Sequence, residues 1–261
     1  MQSIREIDEI LSKVPYVSLH AALQEFASDE RAGVRKVVEK YEKKLEDYRA
    51  ELKRIDNMML YERKYEDYGL ICGIDEAGRG PLAGPVCAAA VILPKDHPIL
   101  YVNDSKKLSE KKREELYDVI IRDAVAYGIG LADEKVIDEI NILQATYCAM
   151  REAISKLNPA PNCTLNDAVT IPGITIRQVP IIKGDAKSAS IAAASILAKV
   201  TRDRMMVEYD KIYPEYGFAG HKGYGAASHI TALREYGPCP IHRKSFIKGI
   251  LNEQTGEGEQ L

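Results

Sequence analysis

The spacing of hydrophobic and polar residues divides the chain near residue 70. Before that point, apolar residues recur at steps of three and four among many charged ones, a spacing that predicts helices. Three helices are predicted there, at about 4–14, 18–30 and 30–65. The last carries one apolar stripe and is otherwise highly charged. It fits an accessory helical hairpin, a surface for a partner or a coiled-coil segment, and we favour a solvated helix packed along one face.

From Leu70 onward, short runs rich in apolar and β-branched residues alternate with helical spacing. Strands are predicted at 70–75, 85–93, 125–131, 164–168 and 176–182. Helices are predicted at 109–124, 133–157, 185–213 and 228–236. Hairpin strands that come first, followed by strands linked through helices, predict an α/β domain built on a mixed sheet.

Composition and charge narrow the function classes. No apolar run approaches the length of a bilayer span, and the start of the chain is charged rather than signal-like, so we expect a cytoplasmic protein without membrane contact. The five cysteines lack CxxC spacing and lie in or beside apolar segments, which favours reduced thiols. The net charge is −3, yet the part from Lys199 to Lys248 holds roughly twice as many basic as acidic residues. That part could attract a nucleic-acid backbone.

Four acidic residues fall at predicted strand ends: the pair Asp75-Glu76, then Asp167 and Asp185. Carboxylates brought together at one edge of a sheet cannot all stay ionised without positive charge, and a divalent cation such as Mg²⁺ would supply it. Taken singly, each has a plainer interpretation, because Asp185 could cap a helix, Asp167 could be a turn residue and the pair could lie in a solvated loop. Asp104, in a loop, is kept outside the set.

Three other features suggest ligand contacts. The turn Gly78-Arg79-Gly80 is no P-loop, since no GK[ST] follows, but its glycines would let backbone approach a sugar edge. Ser188 and Lys199 share a polar stripe on a helix rich in small residues, which indicates either close packing or phosphate contact. Tyr224 lies among glycines, beside a lysine and two histidines, a setting that suits stacking on a nucleic-acid sugar or base.

These motifs together resemble bacterial ribonuclease HII. Six of them stand in the family's order: GIDEAGRGPLAGPVCAAAVIL (73–93), NDSKKLSEKKREEL (103–116), LNDAV (165–169), IKGDAKSASIAAASILAKVTRDRMM (182–206), HKGYG (221–225) and PIHRKSF (240–246). The resemblance implies a ribonuclease H-like fold with a central five-stranded mixed sheet flanked by helices. It also implies four parts: an N-terminal helical extension (1–68), the catalytic domain (69–213), a C-terminal helical substrate-binding part (214–250) and a disordered tail (251–261).

The same resemblance implies an activity. The enzyme would hydrolyse the RNA strand of RNA–DNA hybrids and cut 5′ of ribonucleotides embedded in duplex DNA, leaving a 3′-hydroxyl and a 5′-phosphate. Two Mn²⁺ or Mg²⁺ ions would be held by Asp75, Glu76, Asp167 and Asp185. The remaining implied roles are recognition of the 2′-hydroxyl by Gly78, Arg79 and Gly80, stacking by Tyr224, and phosphate contacts by Lys106, Ser188 and Lys199. We expect a monomer, and no protein partner can be identified.

Two departures from the family pattern stand out. Asn166 replaces an aliphatic residue in a strand that should be buried on both faces, and Ala226 replaces a threonine whose hydroxyl could have contacted a phosphate. Two other functions are considered: a non-catalytic nucleic-acid-binding protein of this fold, and a hydrolase of small phosphate esters. The first would be favoured by loss of an acidic residue of the set, and the second needs neither the basic C-terminal part nor Tyr224. The N-terminal helices do not resemble the TATA-binding-protein-like domain of ribonuclease HIII.

Overall fold

The structure is a computed structural model that describes residues 2–252. The chain divides into two units between Asn57 and Met58. The boundary inferred from sequence lay later, at residue 68. The segment between the two positions therefore belongs structurally to the second unit.

The first unit contains three helices: α1 (Ile4–Lys13), α2 (Tyr16–Gln24) and α3 (Ala32–Met58). Ser3 begins α1 with a capping box, in which its hydroxyl accepts from the N–H of Glu6 and its own N–H donates to the Glu6 carboxylate. Side chains of all three helices form one buried cluster, which includes Leu11, Leu23 and Tyr41. The long charged helix thus packs along one face, and it ends at Met58 rather than near residue 65.

The second unit holds the remaining elements. In chain order they are α4 (Leu60–Lys64), β1 (Ile71–Ala77), β2 (Val86–Ile92), α5 (Glu110–Asp123), β3 (Ala126–Ala132), α6 (Glu134–Ser155), β4 (Cys163–Asp167), β5 (Arg177–Ile181), α7 (Ala189–Ile212), α8 (Phe218–His221), α9 (Ala227–Tyr236) and α10 (Lys244–Asn252). All five predicted strands are confirmed to within two residues at each end. Of the predicted tail, 251–261, the first two residues belong to α10 and the remainder lies outside the described residues.

The five strands form one sheet in the order β3-β2-β1-β4-β5. The pairs β1–β2 and β2–β3 are antiparallel, while β1–β4 and β4–β5 are parallel. The predicted mixed five-stranded sheet is therefore confirmed. Strand β1 lies at its centre, and the carboxyl ends of β1, β4 and β5 share one edge.

Successive side chains of β1 point to opposite faces of the sheet, and a different helix packs on each face. Cys72 and Ile74 belong to a buried cluster with residues of α6, whereas Ile71 belongs to a cluster with Ile191 of α7. On the α7 face, a β-carbon on Gly73 would lie 2.1 Å from the backbone carbon of Ser190. Only glycine allows this approach, which places the start of α7 directly behind the central strand.

The C-terminal elements α8 and α9 form a smaller cluster with the end of α7 around Met206, Tyr216, Phe218 and Ile241. This cluster is tied to the loop after β1 through an isolated bridge between Ala83 and His242. The five cysteines are all free thiols, as expected. Within residues 2–252, every helix is too short or too polar to cross a membrane.

Candidate active site

The sheet brings three of the predicted carboxylates to one edge. Asp75 lies on β1 and Asp167 ends β4, and the neighbouring pair Ile74 and Asn166 are directly opposed in the parallel ladder. Asp167 in turn is paired with Ile181, the last residue of β5, and Asp185 follows four residues later. The convergence expected from the strand ends is therefore present in the structure.

Asp75 is the most deeply buried of these acids, with 6% of its surface exposed. Burial raises the pKa of its carboxyl well above the ordinary value, and the nearby charges of Glu76 and Asp167 raise it further. Its Oδ1 accepts a 2.8 Å bond from the N–H of Glu76, and Ser195 of α7 also donates to its side chain. Ser195 is fixed by a 2.9 Å hydroxyl–hydroxyl bond to Ser105.

Glu76 lies next to Asp75 at the same edge and is contacted by the Gly78-Arg79-Gly80 turn. Its Oε1 accepts a 3.3 Å bond from Nη1 of Arg79. Burial raises the pKa of the Glu76 carboxyl, and the guanidinium of Arg79 offsets part of that rise. The predicted 2′-hydroxyl turn and the predicted metal-binding pair are thus in direct contact.

Asp167 and Asp185 are joined through the loop that follows β5. The N–H of Gly184 donates to Oδ1 of Asp167 at 2.7 Å. Asp185 lies in a 3₁₀ turn, Gly184–Ala186, rather than at the start of α7, so the helix-cap interpretation of this residue is wrong. Burial raises the pKa of Asp185, as do the nearby carboxylates Asp104 and Asp167. Asp104, which sequence reasoning set aside, therefore lies beside the cluster.

The donor set suits a hard divalent cation, because it consists of carboxylate oxygens that carry more negative charge than their burial tolerates. In the described part of the chain, no three His, Cys, Asp or Glu side chains are close enough to form a ready-made metal site. Lys106 supplies the nearby positive charge: burial alone would lower its pKa, but Asp104, Asp185, Asp75 and Asp167 raise it overall.

Two buried arginines hold the Gly78-Arg79-Gly80 turn and the loop that follows it. Arg243 donates from Nη2 to the carbonyl of Gly78 at 2.6 Å, from Nη1 to that of Arg79 at 2.9 Å and from Nε to that of Gly84 at 2.9 Å. Arg202 donates to the carbonyls of Ala83, Pro85 and Lys222. Gly78 has φ of 90°, and a β-carbon there would lie 2.0 Å from Nε of Arg202. No other residue fits this position.

Tyr224 stands next to the turn. Its ring is 45% exposed, and a β-carbon on Gly80 would lie 3.8 Å from its Cε1. Its backbone carbonyl accepts a 2.8 Å bond from Nδ1 of His229, whose Nε2 lies 3.0 Å from Nε2 of His242. The structure therefore groups an exposed ring, a glycine turn and a carboxylate cluster.

Comparison with known proteins decides the family. A family model described as Ribonuclease HII matches residues 72–249, and one described as Ribonuclease HII N-terminal domain matches residues 3–66. The chain belongs to the ribonuclease HII family. Ribonuclease HII of Lachnoclostridium phytofermentans is 61% identical over 95% of this chain and 98% of the relative. That of Clostridioides difficile is 54% identical over 96% and 99%.

Solved structures agree with this assignment. The crystal structure of ribonuclease H2 from Pyrococcus horikoshii superimposes with a TM-score of 0.59 at 28% identity, covering 70% of this chain and 97% of that one. As a ribonuclease HII, the chain is a metal-dependent hydrolase of phosphodiester bonds with ribonuclease H activity on RNA–DNA hybrids. The non-catalytic and small-molecule alternatives are set aside.

The three predicted phosphate contacts of this ribonuclease HII differ in accessibility. Lys106 lies beside the carboxylates, and Nζ of Lys199 is paired with Asp203 at 2.8 Å. Ser188 is fully buried, where its hydroxyl caps α7 and donates to Glu62. Phosphate contact by Ser188 is not supported by this arrangement, because the hydroxyl has no exposed surface.

Of the two departures from the family pattern, Asn166 has a local structural role and Ala226 has none. Asn166 is fully buried, and its Nδ2 donates to the carbonyl of Val169 at 3.0 Å and to Oε1 of Gln178 at 2.9 Å. Gln178 also binds the backbone of Ile171, so the two amides together fix the loop after Asp167. Ala226 is the N-cap of α9 and provides no side-chain cap.

Sequence reasoning missed the residues that support the site from behind. Arg202, Arg243, His229 and His242 are all buried. The two arginines bind backbone carbonyls of the loop after β1, more than a hundred residues earlier, and the two histidines contact each other. Both arginines lie within the quoted motifs, but their immediate neighbours are polar, so the sequence carries no local signal that they are buried. Fully buried arginines are rare without a carboxylate partner, and here backbone carbonyls take that role.

Proposed function

We propose that this ribonuclease HII cuts duplexes on the 5′ side of a ribonucleotide and leaves a 3′-hydroxyl and a 5′-phosphate. The observation that carries the proposal is the contact between Arg79 of the glycine turn and Glu76 of the carboxylate cluster. A ribose recognised at the turn would lie beside the carboxylates. The same enzyme would act at single embedded ribonucleotides and along RNA–DNA hybrids.

The carboxylates of Asp75, Glu76, Asp167 and Asp185 would hold two divalent ions, Mg²⁺ or Mn²⁺. When bound, these ions supply the positive charge that the buried carboxylates need and Lewis-acid activation for water-dependent phosphodiester cleavage. Ser195 would keep the side chain of Asp75 in its orientation, and the N–H of Gly184 would do so for Asp167. Lys106, close to all these acids, is suited to bind a phosphate oxygen.

Recognition of the ribose would use the backbone of the turn. Arg243 binds the carbonyl oxygens of Gly78 and Arg79. Because the C=O and N–H of a trans peptide point in opposite directions, the N–H groups of Arg79 and Gly80 point away from Arg243. They are suited to donate to a 2′-hydroxyl, the group by which a protein tells RNA from DNA.

Tyr224 would complete the choice of substrate. Its exposed ring beside Gly80 is suited to stack against the sugar that adjoins the ribonucleotide. The basic part between Lys199 and Lys248 would bind the duplex backbone, so affinity should fall as salt is added. Lys199 would take part only after exchanging its ion pair with Asp203 for a phosphate.

The test is cleavage of duplex DNA that contains one ribonucleotide, with Mg²⁺ or Mn²⁺, beside an all-DNA duplex of the same sequence. We expect a single nick 5′ of the ribonucleotide with a 3′-hydroxyl end. No nick, or equal nicking of the all-DNA duplex, would overturn the proposal.

The carboxylate assignment is tested separately with Asp75→Asn. We expect cleavage to fall at least ~100-fold, because loss of a metal ligand removes several kcal/mol of charge stabilisation. Duplex binding, measured by fluorescence anisotropy, should remain within roughly threefold. Asp123→Asn, an exposed acid on α5, is the matched control and should cut at the wild-type rate.

A further inference from the structure

Glu62 is a buried acid that the proposed reaction does not use. It lies on α4, with 8% of its surface exposed, in the segment between the N-terminal unit and β1. Its Oε1 accepts three hydrogen bonds: from the hydroxyl of Ser188 at 2.6 Å, the N–H of Ser190 at 2.9 Å and the hydroxyl of Ser190 at 2.7 Å. Its Oε2 is buried and lacks a hydrogen-bond partner among residues 2–252.

Burying a carboxylate costs free energy unless charge or hydrogen bonds compensate for it. For Glu62 the compensation comes from three donors and from the positive end of α7, which is 24 residues long. Within the described residues, no ion pair joins Glu62 to a Lys or Arg. Burial of the Glu62 carboxylate therefore has a free-energy cost, and its hydrogen bonds fix the position of the start of α7.

The start of α7 connects directly to the carboxylate cluster. Ser188, which Glu62 binds, donates its N–H to the carbonyl of Gly184 at 2.8 Å. The N–H of Gly184 donates to Asp167 at 2.7 Å, and Asp185 lies between these two bonded residues. On the other side, Ser190 touches the backbone of Gly73, two residues before Asp75.

We propose that Glu62 is a positioning residue of the active site. By fixing Ser188 and Ser190, it sets the loop that presents Asp185 and the distance of that loop from β1. The segment matched by the N-terminal domain of the family, residues 3–66, thus contributes a buried side chain to the arrangement of the catalytic acids. The proposal rests on the proposed role of Asp185 in metal binding.

The test measures binding of Mn²⁺ alone by calorimetry and, in parallel, the Mg²⁺ dependence of ribonucleotide-directed cleavage. Residues that orient metal ligands from behind typically change metal affinity about 10–100-fold when removed. For Glu62→Ala we expect the Mn²⁺ dissociation constant and the Mg²⁺ midpoint of cleavage to rise by at least ~10-fold. Glu62→Gln keeps Oε1 as acceptor and should recover most of that loss. Glu66→Ala, an exposed acid four residues later, is the matched control.

Circular dichroism and thermal unfolding separate positioning from simple stabilisation. A lower Tm of Glu62→Ala with unchanged metal affinity and unchanged Mg²⁺ midpoint would overturn the proposal. If Glu62→Ala does not fold, Ser190→Ala, which removes one of the hydrogen bonds to Oε1, decides it, and wild-type metal affinity in that variant would also overturn the proposal. Failure of the proposed function shows differently, as a wild-type protein that binds Mn²⁺ but does not nick at the ribonucleotide.

Discussion

Nη2 of Arg243 donates a 2.6 Å hydrogen bond to the carbonyl oxygen of Gly78, across 165 residues of sequence. The same guanidinium binds the carbonyls of Arg79 and Gly84. Burial lowers the pKa of Arg243 to about 9, so the side chain stays charged at neutral pH. One buried cation thus holds the turn on which the choice of substrate is proposed to depend.

Replacement of Arg243 by lysine should impair recognition without touching the carboxylates. A single ammonium cannot reach three carbonyls in the geometry of a guanidinium fork. Leaving buried carbonyls unsatisfied costs about 1–3 kcal/mol. Because the unsatisfied carbonyls include those of the turn, the turn should shift from its position, and we expect kcat/KM on a ribonucleotide-containing duplex to fall roughly 10–100-fold. Lys244→Ala, the exposed neighbour, should behave as wild type; equal activity of Arg243→Lys would show that the turn needs no support.

Removal of one buried charge should stabilise the metal-free protein. Since burial raises the pKa of Asp75, the folded state retains protons that the unfolded state loses, and stability falls as pH rises above 3.8 through the raised pKa. In the presence of a chelator at pH 7, Asp75→Asn should therefore have a higher Tm, by about 2–4 °C for each kcal/mol relieved. The gain should shrink towards pH 4. Added Mg²⁺ should raise the Tm of wild type but not that of the variant, which scanning calorimetry can measure.

The buried pair His229 and His242 should make stability depend on pH in the opposite direction. Burial, together with the neighbouring ring of His229, lowers the pKa of His242 to about 4. Below pH 6.5 the imidazole of His242 binds a proton in the unfolded chain but stays neutral in the folded chain. The free energy of unfolding therefore decreases as the pH falls from 6.5 to 4. Between pH 7 and pH 5 this one group should cost about 2 kcal/mol.

Urea denaturation at the two pH values checks this expectation. We assign neutral tautomers to both rings from their partners, since His229 donates to the carbonyl of Tyr224 and His242 accepts from the N–H of Cys239. His242→Asn should reduce the loss between pH 7 and pH 5, whereas His97→Asn, at an exposed loop position, should not. An unchanged pH dependence in His242→Asn would contradict the assignment of the effect to this ring.

A hydroxyl at position 226 should stabilise the protein whether or not it touches substrate. Ala226 has extended backbone angles at the N-cap of α9, where threonine or serine accepts a bond from the first turn. Ala226→Thr should raise the free energy of unfolding by about 1 kcal/mol. If cleavage rises as well, beyond what stability explains, the hydroxyl also contacts the substrate. A destabilised variant would show that the cap geometry is not available.

The strands and the carboxylate edge could be predicted because their signals are local. Apolar runs ended by Asp75 and Asp167 mark strand ends whatever else the chain does. The start of α7 could not be predicted in the same way, since Lys183 adopts a left-handed conformation and Asp185 makes a 3₁₀ turn. Ser188 then caps the helix, so α7 begins at Ala189, four residues later than periodicity indicated.

The kink in α6 and the long-range hydrogen bonds of the buried arginines could not be predicted from the sequence either. The kink in α6 rests on Asn141, whose φ is 67° and whose side chain accepts from the N–H groups of Leu143 and Gln144. A polar residue within a helical stripe does not reveal such a local cap. Neither did the spacing of Arg202 and Arg243 reveal that their partners lie more than a hundred residues earlier.

The brace from Arg243 to Gly78 also orders events during synthesis of the chain. All four carboxylates and the glycine turn leave the ribosome before Arg243, which follows Gly78 by 165 residues. A nascent chain that has emerged only as far as α9 therefore carries the proposed metal-binding acids, while the proposed recognition turn still lacks its hydrogen bonds from Arg243. Recognition of the ribose, as proposed, would then be completed last, when the segment before α10 reaches the loop after β1.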